Sequence, residues 1–135
     1  MPAGYSGTPL LKKLGIKENL KVLLINAPAN YFDFLQADIS RQLIKKNETP
    51  DLVHLFAVSK KGFLKDMQQL KSACKANPGI TIWVSWYKKS SGVPTDLTEN
   101  IIRDYALQNN LVDVKVCAVS EEWSGLKLVV PVSKR

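Results

Sequence analysis

Lys88 and Lys89 stand at the end of a bulky apolar run, Trp83-Val84-Ser85-Trp86-Tyr87, and are followed by Ser90-Ser91-Gly92-Val93-Pro94-Thr95-Asp96. Two ammonium groups with the hydroxyls of Ser90, Ser91 and Thr95 are chemistry suited to holding an anion. Charge-assisted hydrogen bonds of this kind contribute about 1.5–3 kcal/mol each, and a helix opening near Thr95 would add its free N–H groups. Asp96 works against this, because as the cap of that helix it would occupy the same N–H groups and carry the ligand's own sign.

Other reactive side chains are sparse. His54 is the single histidine and lies inside the apolar run Leu52-Val53-His54-Leu55-Phe56-Ala57-Val58, so it reads as a hydrogen-bonded core residue. No cysteine or second histidine accompanies it in a motif, and no nucleophile and base pair can be assigned. Cys74 and Cys117 form no Cys-x-x-Cys or His/Cys cluster; they read as reduced, buried thiols, and no metal is expected. Domains that bind dinucleotides or S-adenosylmethionine place glycines after their first strand, so that the backbone can approach the cofactor. Here that position reads Asn26-Ala27-Pro28-Ala29-Asn30, and proline offers neither an N–H nor a positive φ. No cofactor is therefore expected. Gly4-Tyr5-Ser6-Gly7-Thr8 could form an anion nest, but a lone Gly-x-x-Gly reads more simply as an arm lying on the domain.

The elements that must position these groups follow from periodicity. Thr8 as a cap, Pro9 in the first turn and Gly15 past the end mark a short helix. Lys21-Val22-Leu23-Leu24-Ile25 is a continuous apolar run closed by Pro28, which predicts a central strand covered on both faces. A short helix over 29–37 and a brief edge strand over 41–45 come next. After the turn Asn47-Glu48-Thr49-Pro50, the run around His54 is a further buried strand. Phe63, Met67, Leu70 and Cys74 then give one helix face over 61–76. The strand 80–87 follows, and Asp96 with Glu99 resembles a capping box for a helix over 97–108. Residues 111–120 and 126–132 are strands joined by a tight turn at 121–125, hence an antiparallel hairpin.

This order predicts a single α/β domain over residues 1–135, with residues 1–18 as an arm and short helix packed on it. It is a three-layer sandwich, Rossmann-like, with a mostly parallel sheet and a C-terminal antiparallel hairpin. The expected strand order, numbered along the chain, is 2-1-3-4-6-5. Strand ends then bring Asn26, Ser59, Lys60, Lys88, Lys89, Ser90 and Thr95 to one edge, where the hairpin turn adds Glu122, Trp123 and Ser124. Trp123 is the residue best placed there to stack on a ligand, whereas Trp83 and Trp86 alternate onto opposite faces.

The 135 residues are 45% apolar, the composition of a compact globular protein. No apolar run reaches the roughly 18 residues of a membrane span, and no export signal is apparent, so a cytoplasmic location is expected. The formal net charge of +7 favours anionic partners, although its lysine pairs are scattered and form no basic tail.

Three separated motifs carry a resemblance: Gly4-Tyr5-Ser6-Gly7-Thr8-Pro9-Leu10 with Lys13-Leu14-Gly15-Ile16; the segment 84–99; and Leu111-Val112-Asp113-Val114-Lys115-Val116-Cys117-Ala118-Val119 with Trp123-Ser124-Gly125-Leu126-Lys127-Leu128. Over nearly its whole length the chain resembles the bacterial DUF3052 family of small proteins. Tyr87 departs from that pattern, in which proline tends to precede the paired lysines. The resemblance implies no catalytic residues. The expected function is a non-catalytic or weakly catalytic module for a small anionic ligand. The alternatives are a protein that docks RNA or another protein, and a divergent methyltransferase-like enzyme.

Overall fold

The computed structural model describes residues 9–45 and 47–135. Its centre is a five-stranded sheet of β1 (Val22–Ile25), β2 (Leu52–Phe56), β3 (Thr81–Tyr87), β4 (Val112–Ala118) and β5 (Trp123–Val129), ordered β1-β2-β3-β5-β4. β1, β2 and β3 are parallel; β5 is antiparallel to β3 and to β4. Four of the five strands therefore point their carboxyl ends at one edge.

Side chains alternate across this sheet, so both faces must be covered. Helices α1 (Leu10–Leu14) and α2 (Tyr31–Leu35) lie on one face, over Val22, Leu52, Phe56 and Trp83. Helices α3 (Lys60–Gln69), α4 (Lys71–Ala76) and α5 (Glu99–Gln108) belong to the other, with Phe63, Met67, Ile102 and Ala106 packed among Val53, Leu55, Ile82 and Val84. Trp83 and Trp86 fall on opposite faces, as the alternation predicts. The result is the three-layer sandwich.

The expected edge strand over 41–45 is reduced to one parallel bridge, Leu43 to Val22. A 3₁₀ turn, Ser40–Gln42, precedes it, and Lys45 accepts a turn bond from the Glu48 N–H at 3.0 Å, which leaves too little extended chain for a ladder. The Gln42 amide instead ties the segment to the carbonyls of Lys17 and Leu20. With this bridge standing for the second strand, the expected order holds.

Three boundaries move for local reasons. The helix expected over 61–76 breaks at Leu70, whose N–H turns back to Met67, three residues earlier, while its side chain stays buried. The helix after β3 begins at Glu99, because Thr98 caps it, accepting the Ile101 N–H at 3.3 Å. Leu97 precedes it in a turn closed by Thr95 Oγ1, which accepts the Leu97 N–H. The hairpin turns at 119–122: Ser120 Oγ accepts the N–H groups of Glu122 and Trp123, so Trp123 and Ser124 are strand residues and not part of the turn.

At the amino end, Pro9 has extended backbone and stands before α1, outside its first turn. Gly15, at φ 77°, closes the helix, a left-handed position that glycine takes without a Cβ clash. Trp83 Nε1 donates to the Leu14 carbonyl at 2.9 Å, fixing α1 to the centre of the sheet. Thr8 and the expected nest at Gly4 to Gly7 lie outside the described residues. No helix among the described residues is long and apolar enough to cross a membrane.

Candidate functional site

The chain leaves β1 toward the Leu43 bridge on one side, yet returns in β2 on the other. This divergence opens a space above the carboxyl ends of β1 and β2, the usual location of ligands in open α/β sheets. Two adjoining crevices lie at this edge and share Pro28, Tyr87 and Trp123. The smaller, about 290 Å³, is bounded by Asn26, Phe56, Val58 and Asp66. The larger, about 540 Å³, extends between α2 and the hairpin turn, where Asp33, Phe34, Glu121 and Glu122 line it.

Their common wall is aromatic. Tyr87 and Trp123 are directly opposite in the β3–β5 ladder, and their rings stack with centroids 4.0 Å apart. Phe56 meets the indole edge-on at 4.9 Å. Trp123 is thereby held rigid at 7% exposure, with little freedom to lose on binding.

Asn26 takes a left-handed conformation at φ 58°, which asparagine adopts more readily than most residues. Its amide donates to Asp66 at 3.1 Å and, more weakly, to the Phe56 carbonyl at 3.5 Å. The first strand's loop is thus latched by a side chain to α3. A glycine loop would instead leave backbone N–H groups free there.

The sequence-predicted residues separate into two groups. Asn26, Glu122 and Trp123 line the crevices. Ser59, Lys60, Lys88, Lys89, Ser90, Thr95 and Ser124 lie at or near the same edge but line neither of these two crevices. Ser59 caps α3 by accepting the Gly62 N–H at 3.0 Å. Thr95 donates its hydroxyl to the Val58 carbonyl. The Lys88 N–H is used on the Glu122 carbonyl at 2.9 Å, and Lys89 and Ser90 are exposed in a 3₁₀ turn. Asp96 caps no part of α5; it accepts the Lys60 N–H, at the opening of α3.

The charge at these crevices runs opposite to the expectation of an anion. Asp33, Glu121 and Glu122 line the larger, Asp66 the smaller, and none of their described lining residues is basic. Neither Tyr87 nor Asp66 is among the sequence-predicted site residues. The period-two alternation of 83–87 places Tyr87 on the Trp83 face, but only the β3–β5 register puts it against Trp123.

The structure also brings Ser85 to His54, which no motif signalled. His54 Nε2 lies 2.7 Å from Ser85 Oγ, and Nδ1 lies 2.7 Å from the Tyr31 hydroxyl. Both His54 and Ser85 are fully buried, and burial pushes the imidazole pKa down to about 3 and the Tyr31 phenol well up. A histidine so hard to protonate is a poor general base at neutral pH. This chain of hydrogen bonds satisfies polar atoms inside the core, as the sequence reading of His54 anticipates. Cys74 and Cys117 are free and half-buried, less enclosed than expected, and burial raises both thiols above their ordinary pKa. Among the described residues, no group of three or more His, Cys, Asp or Glu side chains is placed to hold a metal ion.

No protein-family model matches the chain, and no curated protein matches it. Among solved structures it is similar to an uncharacterised protein of Listeria monocytogenes serotype 4b, with 10% identity and a TM-score of 0.59 over 94% of this chain and 69% of that one. It is also similar to a protein of the NADB-Rossmann superfamily from Streptococcus agalactiae, with 8% identity and a TM-score of 0.55 over 95% and 70% of the two chains. A putative tRNA (m1A22) methyltransferase of Streptococcus pneumoniae has 4% identity and a TM-score of 0.51 over 91% and 70%. The fold is that of Rossmann-type and methyltransferase-like domains. At such identities the likeness concerns the fold alone.

Proposed function

We propose that this chain, read as a member of the DUF3052 family, is a small-molecule-binding module whose ligand lies in the carboxyl-edge crevices. The ligand joins a planar ring to a positively charged or hydrogen-bond-donating group. The ring packs against the Trp123–Tyr87 wall, and the positive group lies among Asp33, Glu121 and Glu122. The observation that carries this reading is the shared aromatic wall, rigid and edged by carboxylates, at the divergence of β1 and β2. The anionic ligand expected from Lys88 and Lys89 finds less support, because neither lysine lines these crevices.

S-adenosylmethionine carries an adenine ring, an ammonium and a sulfonium without any phosphate, and so belongs to the proposed class. The fold shared with a putative methyltransferase makes it the first probe to use. Binding without transfer is the proposed activity; the Ser85–His54 pair is sealed in the core, out of reach of a ligand in the crevices. Calorimetry with S-adenosylmethionine and with adenosine 5′-monophosphate tests the charge preference. The expected result is binding of the sulfonium compound, at least tenfold weaker binding of the phosphate, and a tenfold loss in Trp123→Phe. Absence of heat with a panel of ring-bearing cations, together with an unaltered intrinsic tryptophan fluorescence, would remove the proposal.

A further inference from the structure

A third cavity, of about 690 Å³, lies at the opposite edge of the sheet. Pro78 and Leu111 line it just before β3 and β4, and Val130 lines it just after the antiparallel β5, which places it at the amino edge. Four cationic side chains surround it: Lys71 and Lys75, one turn apart on α4, with Lys134 and Arg135. None of its described lining side chains is acidic. Arg135 is held by its own bond, Nε donating to the Val130 carbonyl at 3.0 Å.

The floor is apolar. Met67, Leu111 and Val130 are buried there, and Cys74 and Tyr105 are half-buried. Burial raises both the Cys74 thiol and the Tyr105 hydroxyl, so neither adds negative charge near neutral pH. The carboxyl end of α5 also faces this groove and would repel an anion through its free carbonyls. Two of those carbonyls are already taken: the Asn109 side-chain amide donates to Tyr105 at 2.8 Å, and the N–H groups of Asn109 and Leu111 donate to Ala106.

We propose that this groove is a second ligand site, for a small organic anion with an apolar or aromatic body and a phosphate-like head. Its volume is in the range that encloses small ligands, roughly 300–1,000 Å³, and exceeds what an inorganic ion alone would fill. The body lies on the Met67–Tyr105 floor, and the head is shared by the α4 lysines and Arg135. The proposal is independent of the carboxyl-edge reading, since no residue is common to the two sites.

The test is an NMR titration of the full chain with 1-naphthyl phosphate, 1-naphthol and inorganic phosphate. The phosphate ester is expected to shift the amides of residues 71–76 and 105–111 and to bind at least tenfold more tightly than either fragment. Lys71→Glu/Lys75→Glu, both exposed positions, is expected to weaken it tenfold or more. Lys17→Glu/Lys115→Glu lowers the net charge equally at remote exposed positions and is expected to weaken it less than threefold. Shifts confined to the carboxyl edge, equal binding of naphthol, or equal loss in both double variants would each overturn the assignment, and so would no shift at millimolar ester.

Discussion

The Asp96 carboxylate accepts the backbone N–H of Lys60 at 2.8 Å, across 36 residues of chain. The loop that leaves β3 therefore caps the helix that leaves β2, alongside the local cap from Ser59. Removing such a cap costs about 1 kcal/mol. Asp96→Ala is expected to lower the unfolding free energy by about that amount in urea denaturation, and Asp96→Asn to retain most of it. If Asp96→Ala proves neutral, the loop is held by Thr95 alone.

Acid should destabilise the protein through His54. Its folded pKa is pushed down to about 3 by burial, whereas an unfolded histidine titrates near 6.5. Between these values the unfolded state binds the additional proton, so stability rises with pH through this window and falls on acidification. The slope approaches about 1.4 kcal/mol per pH unit. Denaturation of the parent and of His54→Gln from pH 7 to pH 4.5 should show the steeper dependence in the parent. Parallel curves would mean that the imidazole is readily protonated in the folded state.

Gly125 lies in β5 where a Cβ would come within 3.0 Å of Val119 Cγ2 and 3.3 Å of Trp83 Cε3. Overpacking of this kind costs about 1–3 kcal/mol. Gly125→Ala is expected to lose that much in thermal or chemical unfolding, while Gly79→Ala, whose nearest contact is an ordinary 3.4 Å, stays within about 0.5 kcal/mol of the parent. Equal effects would show that the β5 strand shifts to make room.

The two charge patterns at the carboxyl edge can be separated by substitution. Lys88→Ala/Lys89→Ala is expected to change the affinity for S-adenosylmethionine less than threefold. Asp33→Asn/Glu122→Gln is expected to reduce it tenfold or more, read by calorimetry. The reverse order would restore the lysines as the ligand-holding groups.

Layers, strand order and the placement of both inner tryptophans were legible because they follow from local patterns: unbroken apolar runs for β1 and β2, alternation for β3 and four-residue spacing for α3. The site was only partly legible. Lys88 and Lys89 stood out by composition, yet the side chains that line the crevices are set by register, which pairs Tyr87 with Trp123 across 36 positions. Likewise Asp96 has the spacing of a local capping box, and a helix start remote in sequence competes for it and wins because Thr98 can serve α5 in its place. Tertiary competition of this sort leaves no mark on either segment alone.

The Trp83–Leu14 bond has a consequence for the order in which the chain folds. Its partners are 69 residues apart, so the final carbonyl of α1 does not meet this indole donor until β3 is seated beside β2. A five-residue helix gains little by forming alone. Closure of so long a loop is rewarded only after the sheet exists. Docking of α1 is then a late event, and substitutions in that helix should accelerate unfolding while leaving the refolding rate nearly untouched.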